Sequence, residues 1–118
     1  MPANNHSEHN LQSSCIKWFR TQYPKLTLNL FAIPNGAKRT AITGKYYVKE
    51  GLTKGVADCF LAVPRDELHG IFIEFKSAKG IQTPDQKEFQ FAVMTENYAY
   101  WIVKDLDNFI NAINNYLR

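Results

Sequence analysis

Apolar residues Leu11, Cys15, Trp18 and Phe19 recur at helical spacing between Asn10 and Tyr23, with Lys17 and Arg20 elsewhere on the wheel. That pattern predicts an amphipathic helix ended by Pro24. Residues 1–9 are polar and aperiodic, which predicts a frayed start. Leu26, Leu28 and Leu30 alternate with Thr27 and Asn29 and run into Phe31-Ala32-Ile33, the pattern of a strand. Pro34-Asn35-Gly36 has turn chemistry. A short helix is expected around residues 41–49, with Gly51 and Gly55 as loop punctuation. Residues 56–63 and 71–76 are almost continuously apolar and are joined by a polar loop, which predicts a hairpin of two strands covered on both faces. Thr83-Pro84-Asp85-Gln86 predicts a helix start with Thr83 as N-cap, Pro84 at the first position and Gln86 completing a capping box. Phe89, Ala92, Val93 and Glu96 mark that helix, which should stop near Asn97. Residues 98–103 read as a strand, and Asp105 caps a last helix with the stripe Leu106, Phe109, Ile110, Ile113 and Leu117.

The order is α-β-(α)-β-β-α-β-α, an α/β chain. Its sheet should be mixed: the hairpin is antiparallel, and the crossover through a helix to the last strand favours a parallel pair. The 118 residues allow one domain, 1–118, able to bury roughly two thirds of its unfolded surface. With 45% hydrophobic and 21% charged residues, the composition is that of an ordinary globular protein. No apolar run reaches the ~20 residues of a membrane span, and the polar start has no signal-like segment. Cys15 and Cys59 sit in apolar segments and read as two buried thiols of a cytosolic protein, not a disulfide framework. A net charge of +3 is compatible with an anionic partner without demanding one.

The informative residues are those that break the apolar runs. Asp58 does so in one strand of the predicted hairpin, Glu74 and Lys76 in the other. Side chains alternate along a strand, so Glu74 and Lys76 share a face, and the hairpin can bring Asp58 to it. Two carboxylates and an ammonium buried together cost less than one alone, and less still around a divalent cation. Asp58 and Glu74 would offer hard oxygen ligands to Mg²⁺ or Mn²⁺, and Lys76 could orient a water and offset charge on a phosphate. This is the chemistry of metal-assisted phosphodiester hydrolysis.

Gly55-Val56-Ala57-Asp58 followed by Ile73-Glu74-Phe75-Lys76 resembles the PD-(D/E)xK nuclease signature. With Ile33-Pro34-Asn35-Gly36 before it, Gln86 in Thr83-Pro84-Asp85-Gln86 after it and Glu8 near the start, the pattern is similar to the VRR-NUC branch, from about Glu8 to Trp101. Ala57 stands where that branch usually has proline. The resemblance implies a restriction endonuclease-like fold, a mixed central sheet of about four strands flanked by helices, and metal-dependent DNA endonuclease activity. By that resemblance Asp58, Glu74 and the backbone carbonyl of Phe75 would bind metal, Lys76 would be the catalytic lysine, Gln86 would support the site, and Glu8 would be an auxiliary acid. It also implies branched or junction DNA as a candidate substrate and the cytoplasm of a bacterial or bacteriophage-infected cell as the setting. Two-fold pairing would widen the DNA-binding surface, so a homodimer is expected. No organic cofactor and no membrane partner are expected.

Lys38, Arg39, Lys45 and Lys54, joined by Lys49 against one acid, Glu50, form a modest basic excess, and Lys79 follows the Glu74 strand. Lys38, Arg39, Lys45, Lys54 and Lys79 are the candidate DNA contacts. His6, His9 and His69 lack partners at zinc spacing and are expected to be exposed. Trp18 and Trp101 lie on apolar stripes and are expected in the core. The alternative function is a catalytically inactive nucleic-acid-binding module of the same fold.

Overall fold

A computed structural model describes residues 3–34 and 49–118 of the chain. The apolar segments form one four-stranded sheet of β1 (Leu30–Ala32), β2 (Cys59–Leu61), β3 (Ile71–Phe75) and β4 (Ala99–Val103), in that spatial order. β1 pairs with β2 and β2 with β3 antiparallel, whereas β3 and β4 run parallel. Around the sheet lie α1 (Ala3–Gln22), α2 (Pro84–Thr95) and α3 (Leu106–Leu117). The expected mixed α/β sheet flanked by helices is therefore present.

Period-two alternation sorts the strands onto two faces. Cys59, Leu61, Ile71, Ile73, Phe75 and Val103 face a core shared with Cys15 and Phe19 of α1 and Phe109 and Ile113 of α3, all nearly fully buried. Trp18 and Trp101, expected in the core, are only partly buried and pack at its margin. On the other face Phe72 of β3 meets Phe60 of β2 at 4.5 Å between ring centroids and Phe89 of α2 at 5.1 Å. Thr83 and Gln86 close the predicted capping box at the start of α2, and Asp105 Oδ1 accepts the Asn108 N–H at 2.8 Å to cap α3. Both cysteines are buried and free.

Several expected boundaries are corrected. Residues 3–9 are helical, not frayed, because α1 begins at Ala3. The aperiodic start of α1 carries no apolar stripe, so the period test could not see it; one of its side chains, Glu8, is tied to the far end of β3. The alternating Leu26, Leu28 and Leu30 do not make a long strand. Pro24–Asn29 is a 3-10 helix, begun by a proline with fixed φ, with the Thr27 hydroxyl donating to the Pro24 carbonyl at 2.9 Å. Leu28 is consequently 90% exposed. The strand expected over 56–63 shrinks to β2, so Asp58 stands just before it rather than inside. The turn residues Asn35 and Gly36, the helix expected over 41–49 up to residue 48, and Lys38, Arg39 and Lys45 lie outside the described residues. Among the described residues no helix is long and apolar enough to cross a membrane.

Candidate active site

The β2–β3 register decides the geometry. Cys59 pairs with Ile73, and continuing this antiparallel register by one step sets Asp58 opposite Glu74. The Asp58 Oδ2 atom accepts the Phe75 N–H at 2.7 Å. This bond replaces the ladder where β2 has not yet begun. Two residues beyond Glu74 and on its face, Lys76 brings its Nζ to 3.3 Å from Glu74 Oε2. The main chain of Lys76 donates to the Val103 carbonyl at 3.0 Å, so the sheet pattern persists one residue past β3. Glu8, near the N-terminal end of α1, accepts the Ser77 N–H on Oε2 at 3.2 Å. Three separate stretches of chain thus deliver Glu8, Asp58, Glu74 and Lys76 to the C-terminal end of β3.

Glu74 is the one charged residue in the buried class among the described residues, with 1% of its surface exposed. Its Oε1 accepts the Tyr100 hydroxyl. Its Oε2 has the Lys76 ammonium as ion partner, but the angles do not make a hydrogen bond, so this oxygen is buried with none. Burial raises the Asp58 pKa above the usual carboxylate value. The Phe75 N–H opposes the rise, Glu74 and Glu8 add to it, and Lys76 lowers it. The field at Asp58 is therefore that of a crowd of acids partly offset by one ammonium. Among the described residues no three His, Cys, Asp or Glu side chains group closely enough to hold a metal ion by themselves.

Gln86 stands at the start of α2, where its Oε1 accepts the Thr83 N–H at 2.8 Å. The loop carrying Gly55 touches that same helix start: a Cβ on Gly55 would lie 2.5 Å from the Asp85 carbonyl and 2.8 Å from the Gln86 nitrogen. Gly80 serves Lys76 in a similar way, since a Cβ there would press on the Lys76 stem at 3.2 Å. Lys54 and Lys79 are exposed on the loops that flank the cluster, and His9 and His69 are exposed.

Two residues absent from the sequence expectations join the cluster. Tyr100 looked like one more apolar residue of a continuous strand. The missed signal was that a buried tyrosine hydroxyl needs a partner. Gln82 stands beside that hydroxyl and is itself held by a 2.8 Å bond to Gln90. Along α1 an open groove is lined by His9, Gln12, Ser13, Lys17, Arg20 and neighbouring residues, with Lys17 and Arg20 its cations.

No protein-family model and no curated protein matches the chain. A solved structure described as a VRR_NUC domain protein does, with a TM-score of 0.79 at 25% sequence identity, over 93% of this chain and 87% of the other. Along nearly its whole length the chain thus has the fold of a VRR_NUC domain protein, the family its Gly55–Asp58, Glu74–Lys76 and Gln86 motifs resemble.

Proposed function

We propose that the chain is a divalent-metal-dependent DNA endonuclease that hydrolyses phosphodiester bonds, with branched or junction DNA its preferred substrate class. The observation that carries this reading is the meeting of Glu8, Asp58, Glu74 and Lys76 at one end of β3. The likeness to a VRR_NUC domain protein supports the nuclease part of it.

The residues fit a hard cation. Glu74 Oε2 is buried without a hydrogen bond, with the Lys76 ammonium beside it at 3.3 Å, so its lone pairs are free to ligate a cation. Asp58 uses Oδ2 on the Phe75 N–H, a bond that orients the carboxylate. Two carboxylates and the Phe75 carbonyl make an all-oxygen set suited to Mg²⁺ or Mn²⁺, which keep waters for the rest. Such a cation would supply Lewis acidity toward a phosphate oxygen. The remaining work falls to the chain. Asp58 and Glu74 hold the site's negative charge, and the Lys76 ammonium, fixed by Glu74, donates to the attacking water or to charge developing on the phosphate. Glu8, oriented by the Ser77 N–H, acts as the auxiliary acid beside that water. Gln86 and Gly55 set the wall formed by the start of α2. Lys54 and Lys79, with Lys38, Arg39 and Lys45, contact the DNA backbone, joined by Lys17 and Arg20 on α1. Two copies pair to grip a long or branched duplex, in the cytoplasm of a bacterial or bacteriophage-infected cell.

The test is cleavage of labelled duplex, single-stranded, flapped and four-way-junction DNA with Mg²⁺, Mn²⁺ or EDTA. Wild type should cut only with metal, and Asp58→Ala should lose about a hundredfold or more of the rate. Binding without cleavage under every condition would instead establish the inactive binding module.

A further inference from the structure

Glu74 and Tyr100 form a buried pair that packing alone does not require. Phe72 and Tyr100 are partners in the parallel β3–β4 register, as are Glu74 and Ile102, so all four side chains share the α2 face of the sheet. Tyr100 lies two register positions before Glu74 and reaches along the strands to its Oε1. Its ring is set by Phe89 of α2 at 6.2 Å between centroids, and it is 9% exposed. A free carboxylate can rotate its plane and turn both oxygens away from a ligand. With Oε1 committed to a fixed hydroxyl, Oε2 has one place to be, against Lys76 Nζ.

We propose that Tyr100 is a positioning residue for Glu74: its hydroxyl holds one carboxylate oxygen and so fixes the plane of the group, presenting the other oxygen to the cation and to Lys76. The inference rests on the metal-dependent reading above. Gln82, held by a 2.8 Å bond to Gln90, stands near the Tyr100 hydroxyl. The chain therefore supports Glu74 from β4. Hydrogen-bonded partners of ligating carboxylates commonly govern metal affinity about 10–100-fold, and Tyr100 occupies that place.

The experiment is Mn²⁺ binding by calorimetry, without DNA, on wild type, Tyr100→Phe, Glu74→Gln and the double variant, with thermal melting of each in EDTA. Phenylalanine keeps the ring contacts, so Tyr100→Phe should fold and bind Mn²⁺ about tenfold more weakly. In the Glu74→Gln background the same change should add little, because the two act through one carboxylate. If Tyr100→Phe does not fold, Tyr100→Met fills the space without a hydroxyl and should show the same loss. Equal Mn²⁺ affinity in wild type and Tyr100→Phe, or equal losses from Tyr100→Phe in both backgrounds, would overturn the proposal and leave the nuclease reading intact. Wild type that binds no Mn²⁺ would overturn both.

Discussion

Gly55 has φ of +83°, and a methyl group there would sit 2.5 Å from the backbone of Asp85. Both facts exclude a side chain, one through conformation and one through space. Gly55→Ala should cost about 1–3 kcal/mol, read by urea unfolding. It should also slow cleavage, because the start of α2 that carries Gln86 must back away. The cysteines make a second prediction from single residues. Burial pushes the thiols of Cys15 and Cys59 up from 9.0 to about 12. In the unfolded chain they ionise near pH 9, so between about 9 and 12 the native state binds more protons. Stability therefore falls as pH rises through that window and is fully retained below it. Urea midpoints at pH 8, 9.5 and 10.5 should show the decline, with a shallower slope in Cys15→Ala. Asp58, Glu74 and Lys76 were readable from sequence because a charge inside an apolar run is costly without a purpose. Tyr100 was not, because its ring satisfies an apolar pattern and its hydroxyl is silent in it.

At the scale of elements, α1 is the clearest departure from the sequence pattern. Its first turns, rich in Asn, His and Ser, have weak helix propensity. The structure carries them on as the beginning of a helix whose later turns bury Cys15 and Phe19. Glu8 then bonds the Ser77 N–H just beyond β3. Glu8→Ala should lower stability by about 1 kcal/mol, the net value of one such bond, and reduce metal-dependent cleavage more than Ser7→Ala does, since Ser7 is exposed. Equal rates for the two variants would remove Glu8 from the site. The 3-10 helix at Pro24–Asn29 departs for the opposite reason. Its leucines alternate like a strand, but a strand exists only where a neighbour pairs with it, and β2 reaches no further than Leu30. Local capping was more reliable: the Thr83–Gln86 box depends on four consecutive residues and formed as read.

Across the whole molecule, one sheet separates two environments. Its first face is sealed by α1 and α3 around Phe109, which is fully buried and meets Trp18 and Phe75 edge-on or tilted at 6.0 and 6.2 Å. Phe109→Ala should destabilise by about 3–5 kcal/mol through lost transfer energy and an unfilled cavity, measured as a lower urea midpoint with an unchanged m-value. The second face carries Glu74, with Asp58 opposite it in register, and Glu8 of α1 joins them and Lys76 at the end of β3. The rigid core face holds β3 still, and the site needs that because Asp58, Glu74 and Tyr100 come from three different strands or their ends.

Element types with strong local signals, the mixed sheet, the family likeness and the unusual charges Asp58, Glu74 and Lys76 are all legible along the chain. These depend on periodicity, capping and the cost of misplaced charge, all local along the chain. Folding alone brings Glu8 to Ser77, Gly55 against the start of α2, and the Tyr100 hydroxyl to Glu74. Those contacts join residues far apart in sequence, and their geometry is set by strand register and helix packing, which no short window of sequence contains.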